Sequence, residues 1–219
     1  GKISFELYDF QVELLKKFIS KNHLVLLKSR QLGLTELTAA YALYIALTKP
    51  KSVIWYIARN PQSDANFIKR VHYSYSTLEY KPVNLEAYTR FNLKFDNGSI
   101  IDAINGSDIV HRSNADLVII DEAAWIKDLD DILASIIPCA NNNKIIIQTT
   151  PSYYFSPFHK FWERITPIIG HRKIYERIQL PWTVHPERDS EWYHSVKRVM
   201  TPSKFAMEYE CEFIKEGTV

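Results

Sequence analysis

The sequence has few of the features that mark secreted, membrane or metal-binding proteins. It contains two cysteines, Cys139 and Cys211, whose wide separation fits free thiols in a reducing compartment better than a disulfide framework or a metal site. No apolar run approaches the roughly 18 residues that a membrane-spanning helix requires. The first residues also lack the apolar core of a signal peptide. We therefore expect an intracellular protein that does not enter a membrane.

An excess of charge of one sign is also missing. Lysine and arginine number 27 against 25 acidic residues, and the net charge is +2. Domains that bind nucleic acids more often have a strongly basic face or a pI above about 9, so any contact with DNA would be local. Five scattered basic residues are candidates for such a contact, although scattered charges more often form a solvated surface: Lys69, Arg70, Arg90, Lys94 and Arg112.

Short apolar runs alternate with helical stretches in the first two thirds of the 219 residues. The runs are apolar on both faces and partly β-branched, which predicts buried strands of a parallel sheet. They comprise residues 24–27, 52–58, 117–120 and 144–148. Helices are predicted over residues 35–48, 64–78 and 128–137. Strands that alternate with helices predict a three-layer α/β domain with a mostly parallel central sheet.

One hairpin interrupts this alternation. Asp96-Asn97-Gly98 is a strong hairpin signal between the apolar residues 91–95 and 99–104. We therefore expect an antiparallel ribbon added to the parallel sheet.

The composition changes after Thr150, where proline, tryptophan and charged residues become frequent. This change predicts a small lid-like subdomain. Its predicted elements are a strand over residues 172–180 and helices over residues 187–200 and 203–210. We place the core at residues 1–165, and the lid with the start of a linker at residues 166–219.

A phosphate-binding loop follows the first predicted strand. Residues 28–35 read K-S-R-Q-L-G-L-T and precede a helix, which is the context of the P-loop pattern G-x-x-x-x-G-K-[ST]. In that context backbone N–H groups converge on phosphate oxygens at the helix N-terminus. Gly33 matches the glycine that permits this approach, and Thr35 matches the hydroxyl that binds Mg²⁺. The predicted nucleotide contacts are Ser29, Arg30, Gln31, Leu32, Gly33, Leu34 and Thr35.

Two positions of this loop differ from the pattern. Leu34 stands where the lysine is expected, and Lys28 stands where the first glycine is expected. Hydrolysis needs a cation near the β- and γ-phosphates, and Lys28 at the mouth of the loop is the natural replacement. Arg30 is a second cation that could stabilise the transition state, in its own subunit or across a subunit contact. The alternative is a decayed loop that binds nucleotide poorly.

A pair of adjacent acids, Asp121 and Glu122, ends the apolar strand predicted over residues 117–120. Ligands of open α/β sheets bind at this carboxyl edge. We predict that Asp121 holds Mg²⁺ through water and that Glu122 is the general base that polarises the attacking water. The alternative, a solvated turn, is less compatible with so apolar a strand.

Two weaker candidates complete the predicted site. Thr149 and Thr150 follow the fourth predicted strand, where their hydroxyls could sense the γ-phosphate, although threonine before proline also ends strands. Gln11 lies before the first strand and could contact adenine through its donor and acceptor. A surface amide on an amphipathic helix is nearly as good an interpretation of Gln11.

The order of these motifs resembles the large terminase ATPase of tailed bacteriophages over nearly the whole chain. The matching segments are the Gln11 segment, S-R-Q-x-G at 29–33, I-A-R-N at 57–60, F-D-N-G-S at 95–99, I-I-D-E-A-A at 119–124 and Q-T-T-P at 148–151. The loop is similar to that of T4-type terminases, apart from Leu34. Lambda-type terminases have the functional lysine at the first position of the loop, which corresponds to Lys28.

This resemblance implies a P-loop NTPase fold of the RecA, additional-strand type and ATP hydrolysis with Mg²⁺. It assigns the catalytic roles to Asp121 and Glu122, and the coupling of hydrolysis to motion to Thr149 and Thr150. It also implies translocation of viral DNA into a procapsid in the host cell cytoplasm. The implied partners are double-stranded DNA, the portal protein, the small terminase subunit and further copies in a ring, with no membrane. We expect no nuclease activity from these residues, because the family's nuclease is a separate C-terminal domain.

Two other functions remain open at this point. A helicase-like RecA-type ATPase would normally need a second RecA lobe, for which 219 residues leave no room. A nucleotide-binding docking module without hydrolysis is compatible with Leu34. The sequence also leaves open whether Arg30, Arg59 or Arg112 completes the site of a neighbouring subunit.

Overall fold

An eight-stranded sheet forms the centre of the computed structural model, which describes residues 6–20, 23–106, 114–139, 143–165 and 175–218. Its strands lie in the order β3-β4-β5-β2-β6-β7-β1-β8. In chain order they are β1 (His23–Lys28), β2 (Val53–Ile57), β3 (Leu85–Tyr88), β4 (Asn92–Phe95), β5 (Ile100–Ala103), β6 (Leu117–Asp121), β7 (Lys144–Thr149) and β8 (Tyr175–Leu180). Neighbouring strands are parallel except for the pairs β3–β4 and β4–β5. The predicted mostly parallel sheet is confirmed.

Helices cover both faces of this sheet. In chain order they are α1 (Asp9–Ile19), α2 (Leu34–Thr48), α3 (Pro61–Thr77), α4 (Leu129–Cys139), α5 (Pro157–Arg164), α6 (Ser190–Arg198) and α7 (Pro202–Tyr209). The first three pack with Leu24 and Leu26 of β1, whereas α4 and α5 pack with Val25 and Leu27 on the other face. All four of these side chains are fully buried, as expected of a strand covered on both faces. The predicted three-layer α/β fold is thus confirmed, and none of the described helices is long and apolar enough to span a membrane.

The predicted hairpin is present at one edge of the sheet. β4 and β5 pair antiparallel, and their turn places Gly98 at φ +82°, a left-handed conformation that glycine adopts without steric cost. β5 in turn pairs in parallel with β2, which joins the ribbon to the main sheet. The structure adds β3, which the sequence analysis does not predict because its four residues lack a β-branched side chain.

The strand predicted within a C-terminal lid belongs to the central sheet instead. β8 lies beside β1 and pairs with it in parallel, with Leu180 opposite Lys28. Its polar residues suggested a lid, but they reflect an edge position, because β8 pairs with one strand, β1, among the strands that the structure describes, and polar side chains protect sheet edges. The expected place of this strand was therefore wrong. A boundary at residue 165 leaves one strand of the sheet outside the predicted core.

Residues 182–209 form an aromatic cluster after β8, which we call the C-terminal helical segment. It consists of a 3-10 turn, Trp182–Val184, followed by α6 and α7. Trp182 packs against Trp192 and Tyr193 of α6 with ring centroids 5.4 and 5.2 Å apart, and rings of α6 pack on rings of α7. The two predicted C-terminal helices are confirmed: α6 is shorter than predicted, and α7 begins and ends one residue earlier than predicted.

Cys211, which follows this segment, is a buried free thiol, as the sequence predicts. Its Sγ donates to the carbonyl oxygens of Leu27 and Leu180, and burial raises its pKa to about 12. The thiol therefore stays protonated at neutral pH. The side chain of Cys139 lies outside the described part of the structure.

Asn60 and Asp64 organise the start of α3. The Asn60 side chain accepts hydrogen bonds from the backbone N–H groups of Gln62 and Ser63 at 3.1 and 3.0 Å, which caps the helix. Asp64 is buried and accepts a hydrogen bond from the Ala58 N–H at 3.1 Å. Burial raises the pKa of Asp64 to about 7, and the bond from Ala58 offsets only part of this effect. Asp64 therefore ionises near neutral pH instead of near pH 4.

We predict that Asp64→Asn stabilises the protein at alkaline pH. The folded state holds the Asp64 proton more tightly than the unfolded chain, so this group's contribution to stability is lost as the pH rises from about 4 to about 7. Asparagine keeps an acceptor for Ala58 without burying a charge. Thermal unfolding should show that the advantage of the variant over the wild type grows by on the order of 2–3 kcal/mol between pH 5 and pH 8.

Glu79→Gln is the matched control for this experiment, because Glu79 is an exposed carboxylate just beyond the end of α3. It should leave the pH dependence of the wild type unchanged. An Asp64→Asn variant whose stability falls with pH as steeply as that of the wild type would show that Asp64 is not the titrating group.

Candidate active site

The loop between β1 and α2 contains a row of unpaired backbone N–H groups. Those of residues 31–35 make no hydrogen bond within the described part of the chain. Gln31 and Gly33 have left-handed backbones, at φ +57° and +68°, and this conformation costs about 1–2 kcal/mol for glutamine. The helix α2 begins directly after Gly33. Unpaired N–H groups that converge at a helix N-terminus form a site for anions such as phosphate.

The backbone N–H groups of the first two predicted nucleotide contacts are bonded elsewhere. The N–H of Ser29 donates to Leu180 O at 2.8 Å, and the N–H of Arg30 donates to Glu208 O at 2.9 Å. The row of unpaired amides therefore begins at Gln31, and the predicted nucleotide contacts of Ser29 and Arg30 do not involve their backbone N–H groups.

The carbonyl groups of the same loop are bonded from outside. Leu32 O accepts a hydrogen bond from Gln11 Nε2 at 3.0 Å. Arg30 O and Gln31 O accept from Nη2 of Arg188 at 2.8 and 3.1 Å. Arg188 was not predictable from the sequence, because it is one basic residue among many and its contact with the loop is purely tertiary.

Gln11 is buried against this loop, which rules out its interpretation as a surface amide. Its Oε1 accepts from the Tyr8 N–H at 3.1 Å, and its Nε2 makes the bond to Leu32 described above. A Cβ atom at Gly33 would lie 2.9 Å from Gln11 Nε2, so this contact and the positive φ both require glycine at position 33. The Gln11 amide keeps one N–H and one lone pair, and its contact with adenine stays a prediction.

The two residues predicted to hold a metal ion lie in contact. Thr35 Oγ1 donates a hydrogen bond to Asp121 Oδ2 at 3.0 Å. The Tyr56 hydroxyl donates to the same oxygen at 3.2 Å, and the Glu122 N–H donates to Oδ1 at 2.9 Å. Burial, and then the charge of Asp121, raise the pKa of Tyr56 well above its ordinary value. Tyr56, which the sequence analysis did not identify, therefore stays protonated and donates to Asp121.

Glu122 has an exposed side chain at the carboxyl edge of the sheet. Its backbone is left-handed at φ +53°, and it begins the 3-10 turn Ala123–Trp125. Within the described residues its carboxylate makes no hydrogen bond or ion pair. Strained backbone conformations of this kind are concentrated at functional sites. Glu122 thus presents an unengaged carboxylate directly after Asp121.

The side-chain hydroxyls of Thr149 and Thr150 accept hydrogen bonds from the turn that follows Glu122. The Ala124 N–H donates to Thr149 Oγ1 at 3.1 Å, and Trp125 Nε1 donates to Thr150 Oγ1 at 3.2 Å. Both threonines are buried. The structure therefore connects β7 to the turn that carries Glu122, whereas a direct contact of these hydroxyls with phosphate stays a prediction.

Lys28 and Arg30 have different surroundings. Lys28 is half-buried at the end of β1, and its ammonium makes no hydrogen bond or ion pair with the described residues. Arg30 is exposed, and its guanidinium forms an ion pair with the buried Glu208 of α7. Lys28 is therefore unengaged at the mouth of the loop, whereas Arg30 is held by the C-terminal helical segment.

Leu34 occupies the usual lysine position of a P-loop, but its side chain belongs to the core. It is 2% exposed and packs in the cluster between the sheet and helices α1 to α3. Among the predicted contacts with nucleotide, Leu34 can therefore contribute only its backbone N–H. The side chain serves the packing of α2 on the sheet.

Gln148 is a further polar residue of this region that the sequence analysis did not weigh. It lies on β7 opposite Asp121 of β6 and Leu26 of β1. Its side chain is fully buried, and neither its nitrogen nor its oxygen has a hydrogen-bond partner among the described residues. Strand alternation places it on the same face of the sheet as Asp121. A buried amide without partners is costly, so this position fits a polar ligand beside Asp121.

Comparison with known proteins identifies the family. Residues 25–219 match the family model of the terminase large subunit, T4likevirus-type, N-terminal. The chain belongs to this terminase family. The solved ATPase domain of the Thermus phage P74-26 large terminase is 19% identical, with a TM-score of 0.73 over 96% of this chain and 95% of that chain. The large terminase of the thermophilic bacteriophage D6E is 10% identical, with a TM-score of 0.75 over 94% of this chain and 53% of that chain.

These similarities establish the fold of the terminase domain. At such low sequence identity they carry the arrangement of helices and strands and not the roles of individual residues. The expected fold, a mostly parallel α/β sheet with an added antiparallel hairpin, is the fold of these terminase structures.

We predict that restoring the usual P-loop lysine destabilises this terminase domain. Because Leu34 is 2% exposed, Leu34→Lys would bury an ammonium or expel the side chain from the core. The free energy of unfolding should fall by about 2–4 kcal/mol, measured by urea denaturation. Leu34→Met, which keeps the volume and the apolar character, should cost less than about 1.5 kcal/mol.

A Leu34→Lys variant as stable as the wild type would contradict this interpretation of the core. It would mean that a lysine at position 34 can extend its ammonium to solvent without leaving a cavity beneath α2.

Proposed function

We propose that this terminase domain binds ATP and hydrolyses it to drive the packaging of viral DNA. The observation that carries the proposal is the 3.0 Å hydrogen bond from Thr35 Oγ1 to Asp121 Oδ2. In P-loop NTPases a loop hydroxyl and a carboxylate at the end of another strand of the sheet are the pair that holds Mg²⁺. Here that pair lies at the end of the row of unpaired loop amides, which suits the phosphates of a nucleotide.

The loop amides and Lys28 would bind the phosphates together. The N–H groups of residues 31–35 supply five donors without partners in the described chain, and Lys28 supplies the cation that Leu34 lacks. The unengaged ammonium of Lys28 supports this role. Arg30 could stabilise the transition state only after its ion pair with Glu208 opens.

Thr35 and Asp121 fit Mg²⁺ chemically. Mg²⁺ prefers hard oxygen ligands, keeps several waters, and usually takes one or two carboxylates beside substrate phosphates. Such a site needs no large acidic cluster, and the described residues contain no group of three or more potential metal ligands. When bound, the ion would neutralise charge on the β- and γ-phosphates. Tyr56 keeps the Asp121 carboxylate oriented toward Thr35.

Glu122 would accept the proton of the attacking water. Its carboxylate is exposed and unengaged within the described residues, and the bonds of Thr149 and Thr150 fix the turn that carries it. A general base must stand within hydrogen-bond reach of the proton that it removes. The rigid turn supports this positioning.

Nucleotide complexes of a relative support ATP as the substrate. The D6E large terminase has been solved in complex with ADP and in complex with ATP-gamma-S. That protein shares the fold of this chain.

We further propose that hydrolysis moves double-stranded DNA into a procapsid in the host cell cytoplasm. Membership of the terminase family supports this function, together with the portal protein, the small terminase subunit and further copies of the chain as partners. Three of the candidate DNA contacts are exposed side chains: Lys69, Arg90 and Lys94. Arg70 forms an exposed ion pair with Glu36. Arg112 lies outside the described residues.

Arg30, Arg59 and Arg112 are the candidates for completing the site of a neighbouring subunit in such a ring. Arg59 lies over the Trp125 ring of its own chain at 5.8 Å, beside the turn that carries Glu122. Arg112 lies outside the described residues. Arg30 and Arg59 therefore both start from engaged positions within their own subunit.

We predict that Glu122→Gln and Lys28→Ala each lower ATP turnover by about 100-fold or more, because they remove the base and the phosphate cation respectively. Glu122→Gln should leave the Kd for Mg·ATP within about threefold of the wild type, since the amide keeps the shape of the side chain. Phosphate release and fluorescent-nucleotide binding, measured on the same preparations, test both statements.

Lys160→Ala is the control, because Lys160 is an exposed lysine on α5 away from the loop, and it should match the wild type. Turnover that survives Lys28→Ala would refute the assignment of the phosphate cation. Nucleotide binding without any turnover in the wild type would favour a docking module that does not hydrolyse ATP.

We also predict that Gln148→Leu stabilises the free protein while weakening its binding of Mg·ADP. Leucine removes an unpaired buried amide, which should raise the unfolding free energy by about 1–3 kcal/mol. The same change removes the polar group that faces the ligand beside Asp121. Thermal unfolding and calorimetric titration with Mg·ADP measure the two effects.

Gln179→Leu is the matched control, since Gln179 is an exposed glutamine on β8 and its loss should change stability by less than about 0.5 kcal/mol. A Gln148→Leu variant that is less stable than the wild type would show that the amide has a structural partner.

A further inference from the structure

Arg188, in the C-terminal helical segment, forms hydrogen bonds to the phosphate loop. Its Nη1 donates to Ser29 Oγ at 2.9 Å, and its Nη2 donates to Arg30 O and Gln31 O at 2.8 and 3.1 Å. One guanidinium thus bonds three acceptors on three successive residues. The planar fork of arginine allows this pattern, whereas the point charge of lysine does not.

Two aromatic rings hold the guanidinium in place. Arg188 Cζ lies 4.7 Å from the Trp192 ring centroid of α6 and 5.7 Å from that of Tyr209 of α7. The side chain is half-buried, and burial lowers the pKa of Arg188 from its ordinary value, although a guanidinium remains charged at neutral pH. The position of Arg188 therefore depends on both helices of the segment.

These bonds decide which way the loop amides point. In a trans peptide group the carbonyl of one residue and the N–H of the next point in opposite directions. By holding Arg30 O and Gln31 O on the outer side, Arg188 turns the N–H groups of Gln31 and Leu32 toward the inner side. Gln11 does the same for the next peptide group through Leu32 O.

The backbone of Gln31 shows why the loop needs this support. Gln31 adopts φ +57°, a conformation that is unfavourable for any residue except glycine and persists only where the surroundings impose it. The carbonyls on either side of the Gln31 Cα are the two that Arg188 bonds. Without Arg188 the loop would tend to relax away from the arrangement with converging N–H groups.

We propose that Arg188 is a positioning residue for nucleotide phosphates, holding the phosphate loop in its anion-binding conformation from the C-terminal helical segment. The inference rests on the proposed function of the loop. Because the position of Arg188 depends on α6 and α7, the affinity of the loop for nucleotide is linked to the packing of the C-terminal helical segment against it. By the same linkage, bound phosphate stabilises the docked segment.

The test is a double-mutant cycle between Arg188 and Gln31, with the Kd for Mg·ADP measured by calorimetry. Arg188→Gln should weaken binding about tenfold or more, and Arg188→Lys should fall between it and the wild type. Gln31→Gly removes the cost of the left-handed backbone, so in that background the loss caused by Arg188→Gln should shrink to about threefold or less. Arg198→Gln is the control, because Arg198 is exposed on α6 and makes no contact with the loop.

A second readout needs no nucleotide. The ¹³Cα chemical shift of Gln31 in the free protein reports its backbone conformation. In Arg188→Gln this shift should move away from the value of a left-handed backbone. In the conservative variant Arg188→Lys it should move less far from that value. Thermal unfolding of each variant checks that the fold is intact, and Arg188→Lys serves where Arg188→Gln does not fold.

Wild-type protein that binds Mg·ADP, with Arg188→Gln binding equally well or with an unchanged Gln31 shift, would overturn the role of Arg188 while leaving the proposed function intact. Equal losses from Arg188→Gln with and without the Gln31→Gly substitution would overturn the explanation through backbone strain. A wild type that binds no Mg·ADP would overturn the proposed function itself, and the role of Arg188 with it.

Discussion

The orientation of three peptide groups in the phosphate loop is the constraint on which the rest of this site depends. Their N–H groups face an anion site only while the carbonyls of the same peptide groups point the opposite way, and partners elsewhere in the chain hold those carbonyls there. Gln11 supplies one partner from α1, and Arg188 supplies the others from beyond β8. Segments from both ends of the described chain therefore meet at the loop.

The position of β8 follows from the same requirement. As an edge strand beside β1, it brings Leu180 O to the Ser29 N–H at 2.8 Å and delivers the C-terminal helical segment to the loop. A strand in a detached lid could not do so. The sheet and this segment thus support the loop together. A boundary at residue 165 would separate two parts of that support.

Leu34 shows how core packing and the site share one position. At the first residue of α2 an apolar side chain points into the core while its N–H faces the loop. A cation for the phosphates would then come from a different place, and Lys28 at the end of β1 is the one that we propose.

The parallel strands and the acidic pair were predictable from the sequence. Apolar runs such as residues 117–120 can only be buried strands or helices, and their brevity and flanking turns favour strands. The contact of Thr35 with Asp121 also followed, because both lie at the carboxyl edge of one sheet.

Other parts of the site were not predictable from the sequence, because they depend on contacts between residues far apart along the chain. Tyr56 is one aromatic residue in an apolar strand, and only the fold shows that its hydroxyl meets Asp121. Arg188 reaches the loop from more than a hundred residues away along the chain, and β8 was misassigned because an edge strand carries the same polar residues as a surface subdomain.

The most direct test of the central claim is a crystal structure of this domain with Mg²⁺ and a non-hydrolysable ATP analogue. The account predicts phosphate oxygens on the N–H groups of residues 31–35, the metal ion between Thr35 and Asp121, and the Lys28 ammonium on a phosphate oxygen. Phosphates bound away from this loop, or a Lys28 side chain turned away from them, would contradict it.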